Sequence, residues 1–191
     1  MNQQDRAVTP VISTILMVAI VVILAAVIGT FALGFTENFS EPAPNVAQTT
    51  GEFVPGADEQ TVRITHIAGD TVNVENIEII VRASGPGDNL PTEARLVDLP
   101  SDGYFDYSID DDTNVEGNKG LISGGSDAAR IIVVDDTNTW SAGDTIQFEI
   151  NVGGADFRDS AQGDSEEADT LEVIIVHTPS NAILSEHTFT P

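Results

Sequence analysis

The chain has 191 residues, 41% of them apolar, with 31 acidic side chains against 7 basic ones, a formal net charge of -24 and no cysteine. That length provides one ordinary domain and an accessory segment. The missing cysteines exclude a disulfide scaffold and any Cys-ligated zinc, iron–sulfur or covalent haem group, and the negative charge repels phosphate backbones, so nucleic acid is not expected as a partner.

The charges are unevenly placed. Asp5 and Arg6 are followed by no charged residue until Glu37, so residues 7 to 36 are a continuous uncharged run and the region from Glu37 onward holds the whole negative excess. Lys119 is the single lysine; every other basic residue is arginine. Acid excess with little lysine points to life in concentrated salt, where the screening length falls to roughly 3 Å and the carboxylates serve as a hydrated coat. An ordinary acidic protein with a solvating tail is the competing reading, and regular apolar strands in the same region weigh against it.

From Val8 the sequence runs VTPVISTILMVAIVVILAAVIGTFALGF. Thr9 is placed to cap a helix and Pro10 to occupy its first turn, where no backbone donor is needed. Pro10 to Thr36 as helix is about 40 Å long, against a hydrocarbon thickness of roughly 30 Å. It is apolar all round, which disfavours a helix lying flat on a membrane surface. Arg6 before it and Glu37 and Glu41 after it favour a cytoplasmic N-terminus and an external acidic domain. Three fates compete: a signal peptide cut near Ala32-Leu33-Gly34, a plain one-span anchor, and a precursor trimmed ahead of the apolar stretch. The apolar core is too long for the first.

The residues Asp5-Arg6-Ala7-Val8 form a polar leader ending in a basic and then a small residue directly against the helix. With this leader, the Thr-Pro pair and the uninterrupted apolar body, DRAVTPVISTILMVAIVVILAAVIGTFALGF resembles the N-terminal domain of archaeal, specifically haloarchaeal, type IV pilins. The resemblance implies cleavage by a prepilin peptidase between Ala7 and Val8, with Arg6, Ala7 and Val8 as the recognition residues. RITHIAGDTVNVENIEIIVR, residues 63 to 82, and IIVHTPSNAILSE, residues 174 to 186, are similar to a strand region and a closing hairpin of the same pilins. Residues 90 to 165 match no motif. Bacterial pilins carry a glutamate near the mature N-terminus; here Ile12 and Ser13 stand in that neighbourhood, so a salt bridge from such a glutamate is not expected.

Helices in lipid gain nothing hydrophobic by associating, so packing depends on close approach at small residues. Ala19, Ala25, Ala26, Gly29 and Ala32 are the candidates for helix packing, and Ser13, Thr14 and Thr30 can bond back to their own helix or across to another. Beyond the helix, Asn38-Phe39-Ser40 is an N-x-S/T sequon, an acceptor for N-glycosylation at Asn38 unless the neighbouring helix buries it. Glu41-Pro42-Ala43-Pro44-Asn45 then reads as an extended spacer.

Farther on, the period becomes two. Ile146, Phe148, Ile150 and Val152 alternate with polar residues, as do Ile77, Ile79 and Val81, and Leu171, Val173 and Ile175. Residues 130–134, 62–67, 94–99 and 183–189 are further strands, giving roughly seven to nine in all. No long amphipathic helix pattern follows residue 40, which disfavours an α/β enzyme. The fold expected is therefore a long N-terminal hydrophobic α-helix followed by a mainly-β antiparallel sandwich, Ig-like, divided as 1–7 leader, 8–36 helix, 37–48 linker and 49–191 acidic ectodomain. The stretches 110–125 and 153–169 read as long surface loops, open to receptor contacts or to simple halophilic decoration.

Chemistry is sparse. Asp110, Asp112 and Asn114 alternate as in a calcium loop, but the sixth and twelfth positions are Val115 and Leu121, so an EF-hand is excluded and a hydrated turn or a looser cation site remains. His66, His177 and His187 share strand parity with apolar residues and read as satisfied, partly buried histidines rather than ligands. No serine-hydrolase elbow, HExxH or phosphate loop occurs, so no enzyme activity and no cofactor are expected.

Together with the resemblance, these features imply a structural and adhesive filament subunit, expected in the cell membrane as a precursor and then in an extracellular surface filament. By resemblance its partners are copies of itself or related pilins, a prepilin peptidase, and a membrane assembly platform with its ATPase. A single-span anchored binding protein that never polymerises and an archaellin-like motility subunit are the alternatives, with an extracellular enzyme third.

Overall fold

A computed structural model of the chain describes residues 5–34, 42–56, 60–100, 109, 113–123, 138–159, 163 and 165–191, with side chains from Val11 to Thr30 in the first of these segments. The chain forms two compact units, Met1–Glu41 and Pro42–Pro191.

The described residues of the first unit form one helix, α1 (Asp5–Gly34). It begins upstream of the expected start, so Pro10 lies in the second turn rather than the first. Proline has no N–H to give the carbonyl of residue 6, so the helix forgoes that one bond in its first turns.

The second unit contains β1 (Val46–Val54), β2 (Gln60–Gly69), β3 (Val72–Asn73), β4 (Ile77–Ser84), β5 (Thr92–Leu96), β6 (Val115–Gly117), β7 (Thr139–Trp140), β8 (Thr145–Ile150), β9 (Thr170–His177) and β10 (Ala182–Phe189). A three-stranded sheet runs β1-β2-β8, a five-stranded sheet runs β10-β9-β4-β5-β6, and β3 pairs with β7. Each pairing between these described strands is antiparallel. In chain order this strand arrangement follows that of a variable-type immunoglobulin domain, in which two extra strands extend the sheet holding the last hairpin. The expected helix followed by an antiparallel sandwich is the fold observed.

Alternation explains which side of each strand is buried. Val62 and Ile64 on β2, Ile146, Phe148 and Ile150 on β8, Ile79 and Val81 on β4, and Leu171, Val173 and Ile175 on β9 all reach the shared core. Charged residues of the five-stranded sheet take the other face. There Arg82 of β4 binds Glu93 of β5 and Glu172 of β9, and Arg95 of β5 binds Glu78 of β4 and reaches Glu116 of β6.

Several boundaries differ from the sequence expectation. β1 starts at Val46, inside the range read as linker, and Asn45 ahead of it is already tied to the domain: its N–H donates to Asp70 Oδ2 at 2.9 Å and its carbonyl accepts from Asp70 N at 3.0 Å. Gly69 makes this approach possible, with φ of +134° and a position where a Cβ would lie 2.3 Å from the Asn45 oxygen. β8 stops at Ile150, before Val152, because the chain turns at Asn151, whose Oδ1 accepts from Gly153 N at 2.8 Å. The strand expected at residues 130–134 lies outside the described residues.

Neither acidic stretch is only a surface loop. In the first, Val115 forms the edge strand β6, and Val115, Leu121 and Ile122 are buried. In the second, Ala155, Asp156, Phe157 and Ala168 are buried. Gln60 holds this segment: its Nε2 donates to Ala155 O at 2.6 Å and its Oε1 accepts from Phe157 N at 2.9 Å. Asp156, fully buried, accepts from Arg158 Nε at 2.7 Å and from Ser165 Oγ at 2.9 Å, which satisfies its charge inside the protein.

Candidate functional site

The feature of this chain that lacks an internal structural reason is α1. Val11 to Thr30 is a 20-residue apolar segment with none of its side chains buried, and Ile15, Met17, Ile23 and Ile28 are each more than 60% exposed. Apolar surface of this kind costs free energy in water, about 1.5–3 kcal/mol for each large aliphatic side chain left unburied. The segment therefore needs lipid or other apolar chains around it. Its length is sufficient to cross a membrane.

At about 100° per residue, Ala19, Ala25, Ala26 and Gly29 fall within an arc of about 120° on one side of the helix. Nothing lies within 4 Å of the position a Gly29 Cβ would take, so this face is open to a neighbour. Ala32 belongs to the same helix, but its side chain lies outside the described residues, as do those of Arg6, Ala7 and Val8; Asn38 is outside them altogether. Thr14 Oγ1 donates to Val11 O at 2.9 Å and Thr30 Oγ1 to Val27 O at 2.8 Å. Both hydroxyls thus donate back to their own helix, as one of the two expectations for them has it.

The β domain offers less to a ligand. A cavity of about 250 Å³ lined by Arg82, Ser84, Pro91, Thr170, Glu172 and Thr188 is smaller than ordinary small-molecule pockets, which run from about 300 to 1,000 Å³. Its charges are already paired: the hydrogen bonds that Arg82 donates to Glu93 and Glu172 push its guanidinium further up from its usual value. Among the described residues no group of three or more His, Asp or Glu side chains could hold a metal ion. Asn114 of the calcium-like run is buried and donates through Nδ2 to the Val97 and Asp98 carbonyls at 3.2 and 3.0 Å, so it ties a loop; Asp110 and Asp112 lie outside the described residues.

The three histidines have three different environments. His177 is buried and shares a 2.8 Å hydrogen bond between Nδ1 and Ser180 Oγ across the β9–β10 turn. His187 Nε2 lies 2.9 Å from Thr49 Oγ1, and burial pushes its pKa down. His66 corrects the expectation of a satisfied histidine: it is completely buried, and neither ring nitrogen has a hydrogen-bond partner. Its ring centroid lies 4.9 Å from that of Trp140, whose Nε1 is also unpartnered. On β2 it continues the inward row of Val62 and Ile64, so ring packing takes the place of polar contacts there.

Comparison with known proteins bears on the helix. Residues 6–48 match the family described as archaeal type IV pilin, N-terminal. An uncharacterized protein of Archaeoglobus fulgidus is 36% identical over 113 residues, covering 54% of this chain and 78% of its own length. The chain is a member of the same family as that Archaeoglobus protein and carries, at residues 6–48, the N-terminal domain of archaeal type IV pilins.

Proposed function

We propose that this protein is the precursor of a structural subunit of a type IV pilus-like surface filament. A prepilin peptidase cuts it between Ala7 and Val8, and the retained helix exchanges lipid neighbours for the helices of sister subunits. The observation that carries this reading is an apolar helix exposed along its whole described length, within the segment that matches archaeal type IV pilins. Ala19, Ala25, Ala26 and Gly29 provide the close approach that association in lipid requires, with Ala32 extending the row. Pro10 fits the cleavage position, because it removes from the turn containing Arg6, Ala7 and Val8 the one helical bond to the Arg6 carbonyl.

The acidic domain forms the outer surface and supplies adhesion. Its charge excess and lysine poverty support a halophilic archaeal setting. Assembly draws on a membrane platform and its ATPase, and on copies of this chain or related pilins. The role is structural, not catalytic.

N-terminal sequencing of the mature protein tests the reading, alongside electron microscopy of cells with and without the chain. A product starting at Val8, with filaments that disappear when the chain is removed, is the expected result. A product starting at Met1 or Asn2 without filaments favours a one-span anchored binding protein. A secreted product beginning downstream of Gly34 overturns the proposal.

A further inference from the structure

The two sheets meet at a seam between β1, the first strand of the domain, and β10, the last. These strands share no backbone ladder; side chains join them. Thr49 Oγ1 of β1 lies 2.7 Å from Ser185 Oγ and 2.9 Å from His187 Nε2, both on β10. One turn of the pleat farther along, the His187 ring lies over Gly51, where a Cβ would come within 2.8 Å of its Cγ and Nδ1. The ring therefore needs glycine opposite it. Phe189 continues the row, stacked on His187 with centroids 6.1 Å apart and in contact with Phe53 of β1 at 5.8 Å.

We propose that Thr49, Ser185 and His187 form an acid-sensitive clasp that holds β1 to β10 most firmly at neutral pH and loosens its hold on β1 when His187 takes up a proton. The hydroxyl of Thr49 has one proton to give. With neutral His187 that proton can go to the imidazole while Ser185 donates to Thr49. An imidazolium can only donate, so Thr49 must accept from it and turn its own proton toward Ser185.

No described counter-charge receives the resulting cation. From β1, the inward residues are Thr49, Gly51 and Phe53, while Glu52 alternates to the exposed side. From β9, Leu171, Val173 and Ile175 face inward. On β10 itself, Glu186 and Thr188 alternate away from the ring. The other titratable group on this side is His66, the ladder partner of Thr49 on β2, which carries no negative charge. Burial accordingly depresses the His187 pKa below the ordinary histidine value of about 6.5.

The sign follows from proton linkage. The opened seam binds the proton more readily than the closed one, so the clasp is at full strength above about pH 6.5 and weakens as the pH falls through that value toward the lower folded pKa. Because residues 42–45 lead from the helix unit directly into β1, acid loosens the domain first at the strand by which it is tethered.

The test uses the full chain in detergent micelles. Amide hydrogen exchange, read by mass spectrometry and corrected for intrinsic rates, is compared between about pH 7.5 and about pH 4.5, a span that brackets histidine titration. Protection of residues 46–54 should fall with pH while that of residues 77–84 stays constant, and His187→Gln should abolish the difference. Unchanged protection of β1 across this range, or the same fall in His187→Gln, would overturn the proposal. Should the variant not fold, the wild-type imidazole resonance of His187 decides: a midpoint below the ordinary histidine value is expected, and one at or above it refutes the clasp.

Discussion

The helix and the β domain solve opposite problems with the same apolar residue types. In the domain, Val62, Ile64, Ile79, Phe148 and Ile175 are completely buried against one another, and charges stand on the outer face. In the helix, Ile15, Val18, Val22 and Ile28 stand exposed. The domain is finished as a folded object, whereas the helix is finished only by what surrounds it. Its stability is thus a property of lipid or assembly and not of this chain alone.

This contrast can be attacked from either side. The largest effect is expected from Gly29→Leu, which fills the open face of the helix: filaments counted by electron microscopy should be lost, while thermal unfolding of the β domain stays unchanged. A domain melt that moved with the helix would break the separation. Phe148→Ala, at a fully buried site, should cost about 3–5 kcal/mol in denaturant unfolding of the domain. Leu24→Ala on the exposed helix should leave that transition in place. Gln60→Ala strands the Ala155 carbonyl and the Phe157 N–H, a loss of about 1–3 kcal/mol that the same unfolding curve measures. The smallest effect concerns an exposed carboxylate. Hydrogen bonds from Asn89 hold Glu166 below the usual carboxylate range, and Asn89→Ala should return its NMR titration toward that range with little change in stability.

The sequence made the helix and the well-alternating strands readable because burial there depends on apolar side chains at a fixed period. It concealed β1, whose inward positions include Thr49 and Gly51. Those residues are polar or small because the His187 clasp and its ring must fit there, so hydrophobic alternation fails at the seam. Strand β6 was hidden because three residues are too few to show a period. The buried bonds of Gln60 and Asp156 are made to residues far along the chain or within an acidic run, where composition alone signals solvent. In the helix, the small-residue row could be read directly from spacing, since helical geometry is local. The orphaned nitrogens of His66 could not, because strand parity shows only that a side chain points inward and not what meets it.

The double hydrogen bond between Asn45 and Asp70 has a mechanical consequence. Tension arriving along residues 42–44 reaches this pair before it reaches Val46 and Gly69, the first rung of the β1–β2 ladder. The pull is thereby handed to the β2–β3 corner as well as to β1, much as a strain-relief fitting keeps a cable from being stripped out of its socket.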